Sequence, residues 1–139
     1  MKFEFHHLNL CSDNVSRLSA FYQDVFGLGR IEDEEHKRVT VDDENGYNAP
    51  VDFVTDGAIE FHLATRDSEL GFRMKQPLNP LHHGHFCFRT DDIEAVKKCL
   101  EEKGIPYADY GVWAIAKWYQ IFFCDPDGNM IEVHQPMAD

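Results

Sequence analysis

The stretch LHHGHFCFRTDD, residues 81 to 92, places His82, His83 and His85 within four positions, directly ahead of an alternating run. A neutral imidazole nitrogen is a common ligand for divalent metals. The stretch therefore raises metal chemistry first, with a solvated His-rich loop as the plain alternative. Alternate side chains of a strand face opposite sides, and four runs of this chain can be sorted that way. In HHLNL, Leu8 and Leu10 oppose His7 and Asn9; in AIEFHL, Ile59, Phe61 and Leu63 oppose Glu60 and His62. In HFCF, Phe86 and Phe88 oppose His85 and Cys87; in MIEVH, Ile131 and Val133 oppose Glu132 and His134. Any sheet with one wet face shows polar residues at one parity, but such a face is usually rich in Lys, Thr, Ser and Arg. Here it offers His and Glu, which suit a first-row divalent metal. If the four strands curve around a common centre, His7, Glu60, His85 and Glu132 converge on it.

The elements that must position these residues follow a repeated grammar. Phe3 to Cys11 alternates as a strand, and Ser12 or Asp13 offers an N-cap. Val15, Leu18, Phe21, Tyr22 and Val25 then recur at helical spacing up to Gly27 and Gly29. RIEDEEHKRVTVDDENGYNAP, residues 30 to 50, is polar and predicts one or two short exposed strands and a loop; its EDEEH run reads as a solvated, charged edge. Val51 to Thr55 and Ala58 to Thr65 read as a hairpin around Asp56-Gly57. A proline-bearing connector without clear period, residues 66 to 83, separates this half from a second one. There His85 to Thr90 is a strand, and Asp91 opens a capping box with Glu94. Ile93, Val96 and Leu100 give a helix its buried stripe, and Gly104 ends it. A short strand follows, then KWYQIFFC and NMIEVHQ joined by a DPDG turn. Each half thus reads strand, helix, then about three strands. The chain is read as a single domain, 1–139, with modules at approximately 1–66 and 82–136.

Bulk properties narrow the partners. Asp and Glu number 25 against 13 Lys and Arg, a formal charge of -12, which argues against nucleic acid and against an anionic membrane surface. No run approaches the ~20 apolar residues of a membrane span, and the MKFEFHHLNL opening lacks the apolar core of a signal peptide. Cys11, Cys87, Cys99 and Cys124 form no CxxC pair and read as scattered thiols of a reduced, cytoplasmic protein. Cys99 reads as core packing, whereas Cys11 and Cys87 can face a cavity. The aromatic YGVWAIAKWYQ segment, with Trp113, Trp118 and Tyr119, reads either as rim packing or a dimer contact, or as a lid over an apolar substrate.

HHLNLCSDNVSRLSAFYQDVFGLG, AIEFHL, GHFCFRTDDIEAVKKCLEEKGIP and QIFFCDPDGNMIEV together span nearly the whole chain. In combination they resemble the vicinal oxygen chelate superfamily, which includes glyoxalase I, fosfomycin-resistance proteins, extradiol dioxygenases and bleomycin-resistance proteins. The resemblance implies an α+β fold of two βαβββ modules, forming a curved eight-stranded mixed sheet around a metal site. It places ligands at His7, His85 and Glu132. A middle ligand falls at Glu60 as in glyoxalase I, with His62, as in relatives with an IHL context, as the alternative. Glu60 is favoured, which leaves His62 to support the ligands or touch the substrate and predicts that Glu60→Ala weakens metal affinity more than His62→Ala. His82 and His83 are then loop residues near the site mouth. In glyoxalase-type members the metal chelates two adjacent substrate oxygens while a glutamate, here Glu132, moves a proton between neighbouring carbons. Glutathione-using members carry a basic residue four positions after the first ligand and an Asn four after the middle one. This chain has Cys11 and Ala64 there, so the usual glutathione grip is absent.

The expected function is a metal-dependent lyase or isomerase acting on a small vicinal-oxygen substrate, with zinc, nickel, manganese or iron as the divalent metal, in a homodimer. Two alternatives stay open. One is a non-haem Fe(II) dioxygenase, since His7, His85 and Glu132 make a two-His, one-carboxylate set. The other is a metal-free small-molecule-binding protein of the bleomycin-resistance type.

Overall fold

The structure is a computed structural model and describes residues 1–39 and 46–138. In chain order the elements are β1 (Phe3–Ser12), α1 (Val15–Phe26), β2 (Gly29–Arg30), β3 (Val51–Thr55) and β4 (Glu60–Thr65), then a short α2 (Leu70–Met74). β5 (His85–Thr90), α3 (Ile93–Glu102), β6 (Ala108–Val112), β7 (Trp118–Cys124) and β8 (Met130–Pro136) follow. The strands form one curved, mixed sheet in the order β2-β3-β4-β1-β5-β8-β7-β6. The two halves of that order match, each with its first strand inside and its second at the outer edge. β1 runs parallel to β4 and β5 parallel to β8, while β1 and β5 join the halves antiparallel. This is the α+β architecture of two βαβββ modules expected from the sequence.

The apolar parity of β1, β4, β7 and β8 meets a helix. Leu10, Phe61 and the fully buried Leu63 pack with Val15, Leu18 and Tyr22 of α1. Ile131, Val133 and Ile121 pack with Ile93, Val96 and Leu100 of α3. Burying a side chain such as Leu63 stabilises by about 1.5–3 kcal/mol, so the two helices hold the sheet from outside and leave its concave face to the polar parity. The stripe on α1 is narrower than its pattern predicts. Phe21 and Val25 are exposed, while Ser19 is buried because its hydroxyl donates to Asp52 Oδ2.

Several boundaries differ by a residue or two, each for a local hydrogen-bonding reason. Asn14, not Ser12 or Asp13, caps α1 by accepting from the Arg17 amide. Asp92, not Asp91, caps α3 by accepting from Ala95, and Asp91 instead accepts from the Lys2 amide. The hairpin turn is not two residues: Thr55 pairs with Glu60, so Asp56 to Ile59 form the loop, and Asp56 Oδ1 accepts from the amides of Ala58 and Ile59. The connector carries the unanticipated α2. Among the described residues of the polar 30–50 segment, Arg30, at the end of β2, and a bridge between Arg38 and Ile115 are all that pair as strands; the expectation for residues 40–45 lies outside the described residues. All four cysteines are free thiols. Among the described residues no helix is long and apolar enough to cross a membrane.

One glycine sets the approach of the central strands. Gly84 has φ +88, and a Cβ there would stand 2.4 Å from the Asn9 carbonyl oxygen. The chain therefore enters β5 against the backbone of β1 only with hydrogen at this position. Gly84→Ala is expected to cost on the order of 2 kcal/mol or more, read as a fall in the urea midpoint. An unchanged midpoint would show that β1 and β5 separate here at no cost.

Candidate metal centre

β1 does not alternate strictly. Phe5 pairs with Phe88 and His7 with Cys87, so His6 is an extra residue on β1, a β-bulge. The bulge turns both His6 and His7 to the concave face, where their Nδ1 atoms lie 2.9 Å apart. His85 and Cys87 of β5 and Glu132 and His134 of β8 stand beside them in register, with Cys87 opposite Glu132.

Glu132 is the hub. It is 1 % exposed, so bulk solvent does not reach it to stabilise a charge. Burial works to raise its carboxyl, but the surrounding imidazoles of His7, His134 and His85 hold it well below the usual carboxylate range. Its two oxygens are treated differently. Arg89 Nε donates to His134 Nε2 at 2.8 Å, which leaves the His134 proton on Nδ1, and Nδ1 donates to Glu132 Oε2 at 2.9 Å. Cys87 Sγ and Gln120 Nε2 also donate to Oε2, at 3.2 and 3.3 Å. Burial, then Glu132 itself, pushes the Cys87 thiol well up, so it stays a neutral donor. Oε1 instead faces His85 Nε2 at 3.0 Å and His7 Nε2 at 3.4 Å. His85 Nδ1 donates to the Pro80 carbonyl at 2.8 Å, and in the Nδ1–H tautomer Nε2 turns a lone pair towards a carboxylate oxygen 3.0 Å away. In that tautomer the two acceptors are satisfied by a cation between them, a proton or a metal ion. Burial lowers the His7 pKa to about 4, which leaves it the neutral imidazole that a metal takes. The donors therefore fit a divalent metal: two nitrogens and one carboxylate oxygen converge, and protein groups fix the far side of each of the two best-placed ligands.

Glu60 lies at the other end of a histidine row. Its Oε1 meets His36 Nε2 at 2.7 Å and His62 Nε2 at 2.8 Å, and its Oε2 lies 3.7 Å from His6 Nε2. Burial opposes ionisation of Glu60, but His36 and His62 outweigh it and lower its pKa. His62 stacks on His7 with ring centroids 3.6 Å apart; burial, then His7, keeps it well below the usual imidazole range. Trp118 closes this row, stacking near His62 and His7 and lying 4.2 Å from His134. It is a wall of the site. Tyr119 faces the other way, bonded to Lys97 and Asp109. The structure thus sets Nε2 of His7 and Nε2 of His85 each beside one oxygen of Glu132, groups donor atoms of His7, Cys87, Glu132 and His134 within 4.8 Å of one another, and places Glu60 to one side, linked through His6 and His62. His82 and His83 sit exposed ahead of the site, their rings 4.2 Å apart.

The donors open into a small cavity, in which the centre of a water-sized sphere can range over about 40 Å³. His7, His62, His85 and Glu132 line one part of it; Arg38, Tyr47 and Trp113 line another. Its walls are largely apolar, as a small-molecule site requires.

The model of the Glyoxalase/Bleomycin resistance protein/Dioxygenase superfamily matches residues 4–133. The chain belongs to that superfamily. Glyoxylase I 4 of Arabidopsis thaliana is 28% identical over 133 residues, which cover 92% of this chain and 68% of the relative. Two solved structures share the superfamily fold. A hypothetical protein, BH1468, from Bacillus halodurans C-125 has a TM-score of 0.69 at 14% identity, covering 100% of this chain and 98% of its own. Methylmalonyl-CoA epimerase from Mycobacterium tuberculosis has a TM-score of 0.66 at 15% identity, covering 96% and 88%.

Within this superfamily member, sequence reasoning passed over four residues that complete the centre. His134 shares the parity of Glu132 and was visible for that reason, but nothing in its spacing marks it as the group that pins Oε2. Gln120 carried no signal. His6 is invisible to strict alternation, because only the bulge turns it inward. His36, in a run that reads as a solvated edge, is held inside by Glu60.

Proposed function

We propose that this chain is a metal-dependent lyase or isomerase of the glyoxalase type, which moves a proton between neighbouring carbons of a small substrate with adjacent oxygens. The unequal treatment of the two Glu132 oxygens carries the reading. His7, His85 and Glu132 would hold the metal, and this set suits zinc, nickel, manganese or iron(II). When bound, such an ion draws charge from coordinated substrate oxygens and acidifies the adjoining C–H. Glu132 Oε1 faces the metal position and would have to leave the ion to take that proton and return it to the next carbon; Oε2 cannot serve, because it is engaged by His134, Cys87 and Gln120. The Arg89–His134 pair keeps the carboxylate from rotating as its charge changes. Relatives named as a glyoxylase and as an epimerase support proton-moving chemistry over oxygenation.

For the fourth side of the metal we propose His62, with Glu60 behind it as the carboxylate that orients His62 and His36. His62 lines the cavity and stacks on His7, whereas the Glu60 oxygens are taken up by imidazoles. His62→Ala is then expected to weaken metal affinity more than Glu60→Ala, which should cost the ~10–100-fold typical of an outer partner. The reverse order in a zinc titration would give the fourth ligand role to Glu60.

The class of reaction is tested by following hydrogen–deuterium exchange beside the carbonyl of small α-hydroxy carbonyl compounds, with protein loaded in turn with zinc, nickel, manganese and iron(II). Metal-dependent exchange that needs no oxygen is the expected result. Oxygen consumption with iron(II) would replace it with a dioxygenase reading, and binding without metal would leave a small-molecule-binding protein. The hemithioacetal of methylglyoxal and glutathione should turn over poorly in the same assay. Cys11 and Ala64 stand opposite each other in β1 and β4, where the glutathione grip would lie, and both meet an apolar cluster.

A further inference from the structure

We propose that Arg38 and Trp113 form a carboxylate-binding subsite in this cavity, so that the substrate is a small carboxylic acid. The inference deepens the proposed function by naming its substrate class, and rests on that reading for the chemistry but not for the binding.

The Arg38 side chain is mostly buried. Its Nη1 donates to the Ala49 carbonyl at 3.2 Å and its Nη2 to the Tyr47 carbonyl at 2.9 Å, with the guanidinium 5.4 Å from the Tyr47 ring centre. Carbonyl dipoles and a ring face orient the cation without neutralising it, and no carboxylate among the described residues pairs with it. Its Nε is buried without a hydrogen-bond partner. Trp113 is 7 % exposed, and its Nε1 is likewise buried and unpartnered. Buried N–H groups without partners are rare in folded chains, and two of them border one cavity that also holds His7, His85 and Glu132.

The two residues are held together by the backbone. Val39 donates to the Ala114 carbonyl and Ala116 to the Lys37 carbonyl, each at 2.8 Å, so the segments that carry Arg38 and Trp113 form one clip. Two N–H donors, one of them cationic, match the two oxygens of a carboxylate. A phosphonate would bring three oxygens to the same two donors. Gln120 Oε1 is a third buried, unpartnered atom lining this cavity, and as an acceptor it suits a hydroxyl group on the same ligand. The cation absent from position 11 is thus supplied by Arg38, from the segment that bridges to Ile115.

The test uses chelated, metal-free protein, so that it reads this subsite alone. The chain has two tryptophans, and Trp113→Phe assigns their indole N–H signals in a ¹⁵N correlation spectrum. Propionate is titrated beside its neutral isostere propionamide and beside ethylphosphonate. A saturable shift of the Trp113 indole signal with propionate is expected in the millimolar range, with at least about tenfold weaker binding in Arg38→Gln. Trp113→Phe, which keeps the packing ring, should weaken propionate binding read on backbone amides, and dispersed spectra show that both variants are folded. Equal binding of propionamide, unaltered affinity in Arg38→Gln, or no saturable shift would overturn the subsite. Tighter binding of ethylphosphonate would overturn the choice of carboxylate. Metal content is measured separately on the untreated protein: propionate binding by a protein that never holds metal would leave this inference standing and remove the proposed reaction.

Discussion

Glu132→Gln is expected to abolish metal binding and proton transfer while leaving the metal-free protein at least as stable as the parent. The argument follows from the two oxygens of the carboxylate. An amide of the same shape will set its oxygen where Oε2 now accepts from His134, Cys87 and Gln120, since its NH₂ group there would face three donors. The NH₂ group then points at His85 Nε2, whose own proton requirement is already met through Nδ1 and Pro80. A new N–H···N bond forms where two acceptors faced each other. One such bond contributes about 1 kcal/mol, which raises the unfolding midpoint of a chain this size by a few degrees. The same hydrogens occupy the metal position, and the missing carboxylate removes the base, for a loss of about 10²–10⁴-fold or more in exchange activity. Calorimetry of the chelated protein and metal analysis test this together. A variant that keeps the parent's metal content would show that Glu132 is not a ligand. A midpoint that drops by several degrees would show that the present arrangement of protons is wrong.

His85→Ala should also eliminate stoichiometric metal binding, by a different route. It leaves His7 and Glu132, with His62 at the fourth side, and removes the nitrogen that stands nearest Glu132 Oε1. That loss exceeds the ~10–100-fold expected for an outer partner, because an inner-sphere bond is gone and not merely loosened. Without metal the variant should be only moderately destabilised. The Pro80 carbonyl loses its donor, and the lone-pair opposition at Glu132 Oε1 is relieved in partial compensation. Elemental analysis after dialysis against micromolar zinc is the measurement. Parent-like content would move the centre to the His36–Glu60–His62 end of the row, where the donor atoms lie within 4.8 Å of one another.

Strand parity in the sequence was enough to place His7, His62, His85, Cys87, Glu132 and His134 on the concave face, because alternation is a local property of an extended chain. The helices, too, were legible from apolar spacing, and the repeated order of elements was legible because each half carries the same pattern. Boundaries were less so. Asn14 and Asp92 won their caps over neighbours of equal propensity by the direction in which their side chains happened to meet the next free amide. Trp118 and Tyr119 are adjacent in an aromatic run, and only the register of β7 against β8 sends one over the histidines and the other to Lys97.

What the sequence by itself determined, then, was the inventory of ligand-type side chains, the face each would take, and the pair of modules that presents them. The tertiary structure decided which of them meet. A one-residue bulge turned His6 inward and broke the rule of alternation at the point where the rule mattered most. The parallel register of β1 with β4 set Glu60 level with His7 in the sheet, yet side-chain partners drew its carboxylate to His36, a residue 24 positions away. Arg38 and Trp113 came to one cavity across the gap between the two edges of the sheet. Such meetings depend on long-range register and on competition among several partners for each buried proton, and a pattern of adjacent residues carries no record of either.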